Sequence, residues 1–276
     1  MPQITAETDV ASGFPAAQTP GARRFRTLRV IAALILRETG SRDTTSSLGF
    51  LWTFIEPIAT TIVLTFVFSL MTRQPRLGTS YALFYITGVG AYQMYVSTYA
   101  KVSGSIKFSR NLLGFPSVTV LDAMLARFLL NSFINLTIFI CLVSGIIAYY
   151  HLRELPDIPL VLLSLSMAAA LGLGIGSLNA VLFLASPTYE SIWGILTRPL
   201  MVMSGVIFLI TDLPTQMFNY LWWNPLVHVT GLMRAAFYPT YDASYVSVGY
   251  PFLIAGITFV LGLVGLHRYV FDALDR

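Results

Sequence analysis

Residues 128–150, 158–189 and 243–266 contain no Asp, Glu, Lys or Arg. Each run exceeds or matches the roughly 20 mostly apolar residues that carry a helix across a hydrocarbon core about 30 Å thick. Helices in the core of a soluble domain rarely stay uncharged for so long. Five or six such stretches make up most of the 276 residues. Hydrocarbon offers the backbone no water to bond, so only helices or a closed barrel can span it. Unbroken apolar runs favour helices, because barrel strands would read as segments of about ten alternating residues.

The balance of 55% hydrophobic to 11% charged residues inverts that of soluble domains, where about 25% are charged. An ordinary soluble enzyme is excluded. No polar stretch is long enough for a second core, so one polytopic all-α unit is expected. The formal charge of +4 sits beside the apolar runs, where lipid headgroups and topology account for it without nucleic acid. The single cysteine, Cys141, rules out an internal disulfide and a cysteine metal site, and reads as a small core residue. Residues 1–22 read as a mobile cytoplasmic tail, lacking the apolar stretch of a cleavable signal peptide.

Across residues 23–43 the pattern is amphipathic. Arg26, Arg29 and Arg37 fall on one helical face, and Phe25, Leu28, Ala32, Ile35 and Leu36 on the other. Such a helix lies in the membrane surface, offering its arginines to anionic lipid or an acidic partner, or serves only to fix topology. Spans are expected at 50–71, 81–100, 121–150, 158–186, 192–210 and 248–271. With both termini cytoplasmic, only Arg73, Arg76, Arg153 and Arg234 lie outside, in keeping with the positive-inside rule. Segment 213–247 carries Phe218, Tyr220, Leu221, Trp222, Trp223, Leu226 and Val227, broken by Pro214, Pro225 and Pro239. It reads as an outer re-entrant hairpin or as an interfacial anchor.

Glu56, Asp122, Arg127, Glu190 and Arg198 fall inside or at the rim of spans. A charge at a helix centre costs about 2.5–3.5 kcal/mol on insertion scales, so these groups should pair or face a cavity. Glu56 precedes Pro57 and Arg198 precedes Pro199, which suits either a kinked lateral opening for an anionic lipid or a simple pairing of the two. Gly172, Gly174 and Gly176 with Ser177 form a small-residue cluster for close helix approach, not a phosphate loop. Residues 101–117, KVSGSIKFSRNLLGFPS, combine basic residues with Phe108 and Phe115, as a docking segment or a solvated loop would. His151, His228 and His267 are dispersed, and no hydrolytic triad or metal-ligand spacing is present. Tyr81, Tyr85, Tyr92, Tyr95, Tyr99, Trp222, Trp223 and Tyr238 offer aromatic faces that could line a passage. Tyr85, Tyr92, Tyr95 and Tyr99 share one helical face, although an interfacial belt is the rival reading.

Two segments carry a family likeness: residues 33–57, ALILRETGSRDTTSSLGFLWTFIEP, and residues 223–241, WNPLVHVTGLMRAAFYPTY. With Leu48, Gly49, Leu51, Trp52, Glu56 and Pro57 in the first, and Asn224, Pro225, Leu226, His228 and Arg234 in the second, the chain resembles the type-2 ABC exporter permeases of capsular polysaccharide, the KpsM-type proteins. The likeness runs from about Leu34 to the carboxyl end. It implies six spans per subunit, a homodimer, and two copies of a separate ATPase subunit that binds ATP and Mg, with no cofactor in this chain. Lys107, Phe108, Arg110, Leu113 and Phe115 would engage that ATPase, with Arg37 and Glu38 at the same inner interface.

The cargo implied is a lipid-linked polysaccharide moved from cytoplasm to periplasm across the bacterial inner membrane. It would enter by Trp52, Glu56 and Arg198, between the first and fifth spans. It would leave past Tyr85, Tyr92, Tyr95 and Tyr99 to a vestibule of Trp222, Trp223, Asn224, His228 and Arg234, toward a periplasmic adaptor and outer-membrane export proteins. Such permeases often carry Glu where this chain has Gly231, and are basic where it has residues 43–47, DTTSS. Another lipid-linked glycan, O-antigen or teichoic acid, would suit the same machine. An ion-coupled transporter would show inverted repeats and a midplane acidic site. A membrane glycosyltransferase or lipid phosphotransferase would turn over its donor without a partner.

Overall fold

A computed structural model describes residues 29–36, 47–71, 75–108, 119–152 and 156–274, excepting the side chains of 47–54, 56, 57, 68, 71 and 269–274. The expected tail 1–22 and most of the expected helix 23–43 lie outside these residues. Within 29–36 the chain is helical and Ile31 is buried, whereas Ala32 and Leu36 of the expected apolar face are exposed.

Among the described residues, eight helices of eight residues or more follow: α1 (Ser47–Met71), α2 (Tyr81–Ser103), α3 (Val120–Tyr150), α4 (Ile158–Ala185), α5 (Pro187–Met203), α6 (Thr215–Trp222), α7 (Pro225–Phe237) and α8 (Gly249–Leu274). Three among the described residues are long and apolar enough to cross a membrane: α3, α4 and the Gly249–Arg268 part of α8.

Local chemistry sets the boundaries. Asp122, one of the rim charges, is a cap: its carboxylate accepts from the Thr119 N–H at 3.1 Å while the Thr119 hydroxyl accepts from the Asp122 N–H at 3.1 Å. Asp157 caps α4 through the Leu160 N–H. Ser186 closes α4 by donating its N–H to Leu182 O at 2.9 Å and opens α5 by accepting from the Tyr189 N–H, with Pro187 first in the new helix. One residue serves as both caps, so no linker separates the two helices.

The fifth helix departs from the expected 192–210. Its start is drawn back to Pro187 by the Ser186 cap, and it ends at Met203 because Gly205 takes a left-handed φ of 70°. Residues 206–208 bend away before a 3₁₀ turn at Ile210–Asp212. Cys141, expected in the core, is exposed on α3.

The central helix is α4, with α2 packed on one side and α8 on the other, while α7 lies across α4 and α2, and α1 and α3 rest on α2. Its glycines make this possible. A Cβ at Gly172 would stand 2.6 Å from Thr98 Cβ, and one at Gly176 would stand 2.8 Å from Val102 Cβ, both on α2. Gly174 faces the other way, onto the Ala255 carbonyl of α8, and Gly262 of α8 would meet Ser177 C at 2.7 Å. In lipid no hydrophobic force drives helices together, so contact at this range supplies the cohesion through dispersion.

Substitution should separate the two kinds of glycine. Gly174→Val drives a branched side chain into α8 backbone and is expected to abolish a folded, monodisperse protein in detergent. A Cβ added at Gly194 on α5 would meet nothing within 4 Å, so Gly194→Ala should stabilise the fold by about 1 kcal/mol through helix propensity, read as a higher melting temperature.

Candidate functional site

At one end of the bundle, α2 stops at Ser103 and the chain resumes a helical turn over residues 105–108. Val102, Ser105 and Ile106 are buried, which fixes the turn, while Lys107 and Phe108 are exposed at its rim. Arg127 reaches this corner from α3. Its Nη1 donates to Lys101 O at 3.1 Å and its guanidinium lies 4.0 Å over the Phe108 ring. Lys107 Nζ pairs with Glu190 Oε2 in the first turn of α5, where a carboxylate also suits the helix dipole. A pair this exposed is worth about 0–1 kcal/mol, so it orients α5 more than it anchors it. Of the other residues expected at this interface, Arg37, Glu38, Arg110, Leu113 and Phe115 lie outside the described residues.

Between α2 and α5 runs a line of aromatic contacts. Tyr92 Oη donates to Thr197 O at 3.2 Å, Tyr95 and Tyr99 rings lie 5.3 Å apart, and Tyr99 meets Trp193 edge-on at 6.2 Å. Tyr189 adds a second contact to Trp193 and donates from Oη to Asn179 Oδ1 at 3.1 Å. No residue of α5 is buried. Tyr85 and Tyr95, expected to line a passage, are packed into the core of the chain, as is most of Tyr92; of these four only Tyr99 keeps a partly exposed ring. The shared face of α2 meets α5 through Tyr92 and Tyr99. Arg198 is exposed on α5, whereas Trp52 and Glu56 fall within α1 with side chains outside the described residues.

At the other end α7 secures the turn that follows α5. Asn224 Nδ2 donates to Met203 O at 3.2 Å, Thr230 Oγ1 to Ser204 O at 2.7 Å, and Arg234 to Val206 O at 3.1 Å and Phe208 O at 2.8 Å. The Arg234 guanidinium is 1% exposed and stacks 4.5 Å from the Phe84 ring. Expected on a vestibule wall, it is instead an internal clip, because the carbonyls of a non-helical turn need donors that only a long forked side chain supplies.

His228 is likewise internal. Its Nε2–H donates to Trp222 O at 2.9 Å and its Nδ1 accepts from the Ser247 N–H at 3.1 Å, which leaves a neutral ring with both nitrogens occupied. Trp222 stacks on Tyr250 at 5.6 Å, and Trp223 is exposed beside them. At Gly231 a Cβ would strike the Tyr245 hydroxyl, which is 2.8 Å from that of Tyr241. A larger residue there would evict Tyr245.

Sequence reasoning passed over Tyr189 and Trp193 as partners of α4 and α2, and singled out Glu190 as a charge needing a partner without naming Lys107. Tyr189 and Trp193 are four residues apart, a spacing that puts them on one helix face. Nothing in the order of residues joins Lys107 to Glu190, which are 83 positions apart.

The family described as ABC-2 type transporter matches residues 29–238. Among curated proteins, the chain is 29% identical over 238 residues to the Polysialic acid transport protein KpsM of Escherichia coli, covering 86% of this chain and 92% of that one. It is 28% identical over 242 residues to the Capsule polysaccharide export inner-membrane protein CtrC of Neisseria meningitidis serogroup B, and 27% identical over 242 residues to the Capsule polysaccharide export inner-membrane protein BexB of Haemophilus influenzae. Each of these alignments covers 87% of this chain and 91% of the relative.

The clip at Arg234 has a stability signature. Arg234→Lys keeps the charge but cannot fork to two carbonyls, and should lower stability by about 1–3 kcal/mol. Arg234→Ala also opens a cavity and should cost about 3–5 kcal/mol. Melting of the purified protein checks both.

Proposed function

We propose that this chain, which belongs to the ABC-2 type transporter family, is the permease subunit of an ATP-driven exporter that moves lipid-linked capsular polysaccharide from cytoplasm to periplasm across the bacterial inner membrane. The observation that carries this reading is the match to capsule-export permeases over almost the whole length of each relative. The permease supplies the path and a separate nucleotide-binding subunit supplies ATP hydrolysis. Two copies of each make the working assembly, and a periplasmic adaptor with outer-membrane export proteins receives the polymer.

In this reading α1, α2, α3, α4, α5 and α8 are the six spans, both termini are cytoplasmic, and α6 and α7 form the re-entrant outer pair. Lys101, Lys107 and Arg127 gather at one end of α2 and α3, which supports placing that end in the cytoplasm. Exposed apolar side chains such as Ile62, Phe66 and Leu70 on α1 and Ile195 and Leu196 on α5 suit lipid or a second copy of the chain.

The residues 105–108 turn, continuing toward Phe115, is the ATPase-docking segment. Phe108 is its knob, pre-oriented by the Arg127 guanidinium. An exposed aromatic held in one rotamer binds a groove with little entropy left to lose. Arg198, Glu56 and Trp52 mark the side where the lipid anchor enters.

Purification from native membranes in mild detergent should bring down a stoichiometric nucleotide-binding subunit, and deletion of the gene should leave the glycan in the cytoplasm. Phe108→Asp should cut export by about tenfold or more while membrane levels of the permease stay unchanged. Glycan carried across vesicles by the isolated chain under an ion gradient alone would sink the proposal.

A further inference from the structure

Two hydrogen-bond donors are shut away without an acceptor at the corner where α2, α4 and α5 meet: Nδ2 of Asn179 and Nε1 of Trp193. Asn179 is 1% exposed, and its Oδ1 is engaged by the Tyr189 hydroxyl at 3.1 Å, so the amide nitrogen is the spare end. Trp193 stands beside the same tyrosine, with ring centroids 6.1 Å apart, and Tyr99 closes its other side at 6.2 Å. Unmade donors are rare in folded interiors. An apolar side chain at either position would serve packing better, because a buried donor without a partner has forfeited its bonds to water.

Both donors are neutral, and aromatic rings flank them. What completes such a corner is an oxygen with free lone pairs, on a phosphate or a sugar, whose neighbouring C–H face can rest on a ring. Neutral donors hold such a group without trapping it, as a moving cargo requires. Access depends on α5, which carries Tyr189 and Trp193 yet has no buried residue, and whose first turn is pinned by the exposed Lys107–Glu190 pair. The corner thus adjoins the turn assigned above to ATPase docking.

We propose that Asn179 and Trp193, walled by Tyr189 and Tyr99, form a transient subsite for the acceptor oxygens at the lipid-anchored end of the exported glycan. This deepens the export reading and rests on it.

Trp193→Phe keeps a ring and removes the N–H; Asn179→Leu removes the amide at similar volume. The complete complex with its ATPase is placed in nanodiscs of phosphatidylethanolamine and phosphatidylglycerol, and ATP hydrolysis is titrated with lipid-linked polysaccharide extracted from the same cells. Each variant should raise the half-maximal glycan concentration by roughly fivefold or more with the maximal rate kept. Discs with phosphatidylglycerol alone provide the second arm. A variant effect present there assigns the oxygen to a lipid phosphate, and an effect seen only with glycan assigns it to the sugar end. An unshifted half-maximal concentration in Trp193→Phe, or a lost maximal rate without a shift, overturns the subsite. A wild-type complex indifferent to the glycan overturns the export reading and the subsite with it.

Discussion

Backbone-to-backbone contact along α4 is the constraint on which the rest of the bundle depends. Gly172 and Gly176 admit α2, and Gly174 with Gly262 admits α8. Where the surrounding medium is as apolar as leucine, burying leucine yields little, and only density of contact favours one arrangement over another. With α2 and α8 held at that range, α7 can bridge α2 and α4, and α3 and α1 can pack on the remaining side of α2. A bundle built this way has a rigid centre and a looser periphery, and α5 belongs to the periphery.

The second organising demand is satisfaction of main-chain carbonyls. Ending α5 at Met203 releases carbonyls at residues 203–208, and α7 answers them with Asn224, Thr230 and Arg234. His228 does the same for Trp222 and Ser247. Polar residues in the 223–241 segment thus serve chiefly to hold irregular backbone. This explains how a buried arginine is tolerated: its charge meets carbonyl dipoles and the Phe84 face rather than hydrocarbon.

Much of this is legible in the chain. The charge-free runs become α3, α4 and α8, and the clustered glycines become the close crossings, because composition directly encodes what a helix can tolerate around it. Helix α5 differs from expectation at both ends, since a cap at Ser186 and a left-handed Gly205 are decisions of single residues inside an apolar background. The tyrosines of α2 do fall on one face, but periodicity cannot say whether a face meets a passage or another helix. Arg234 and His228 read as functional because polar groups in apolar sequence usually are; their carbonyl partners lie on other elements, out of reach of any local pattern. Lys107 and Glu190 show the same limit at 83 residues' separation.

The shared cap at Ser186 gives α5 the mechanics of a lever with unequal arms. Its fulcrum is joined to the central helix α4, while its far tip at Met203 hangs from the side-chain amide of Asn224. At about 1.5 Å per residue, Trp193 rides on the short arm and Met203 on one more than twice as long. A displacement at the tip would therefore reach Trp193 reduced to less than half, so the ring beside Asn179 shifts little when the outer end of α5 is disturbed.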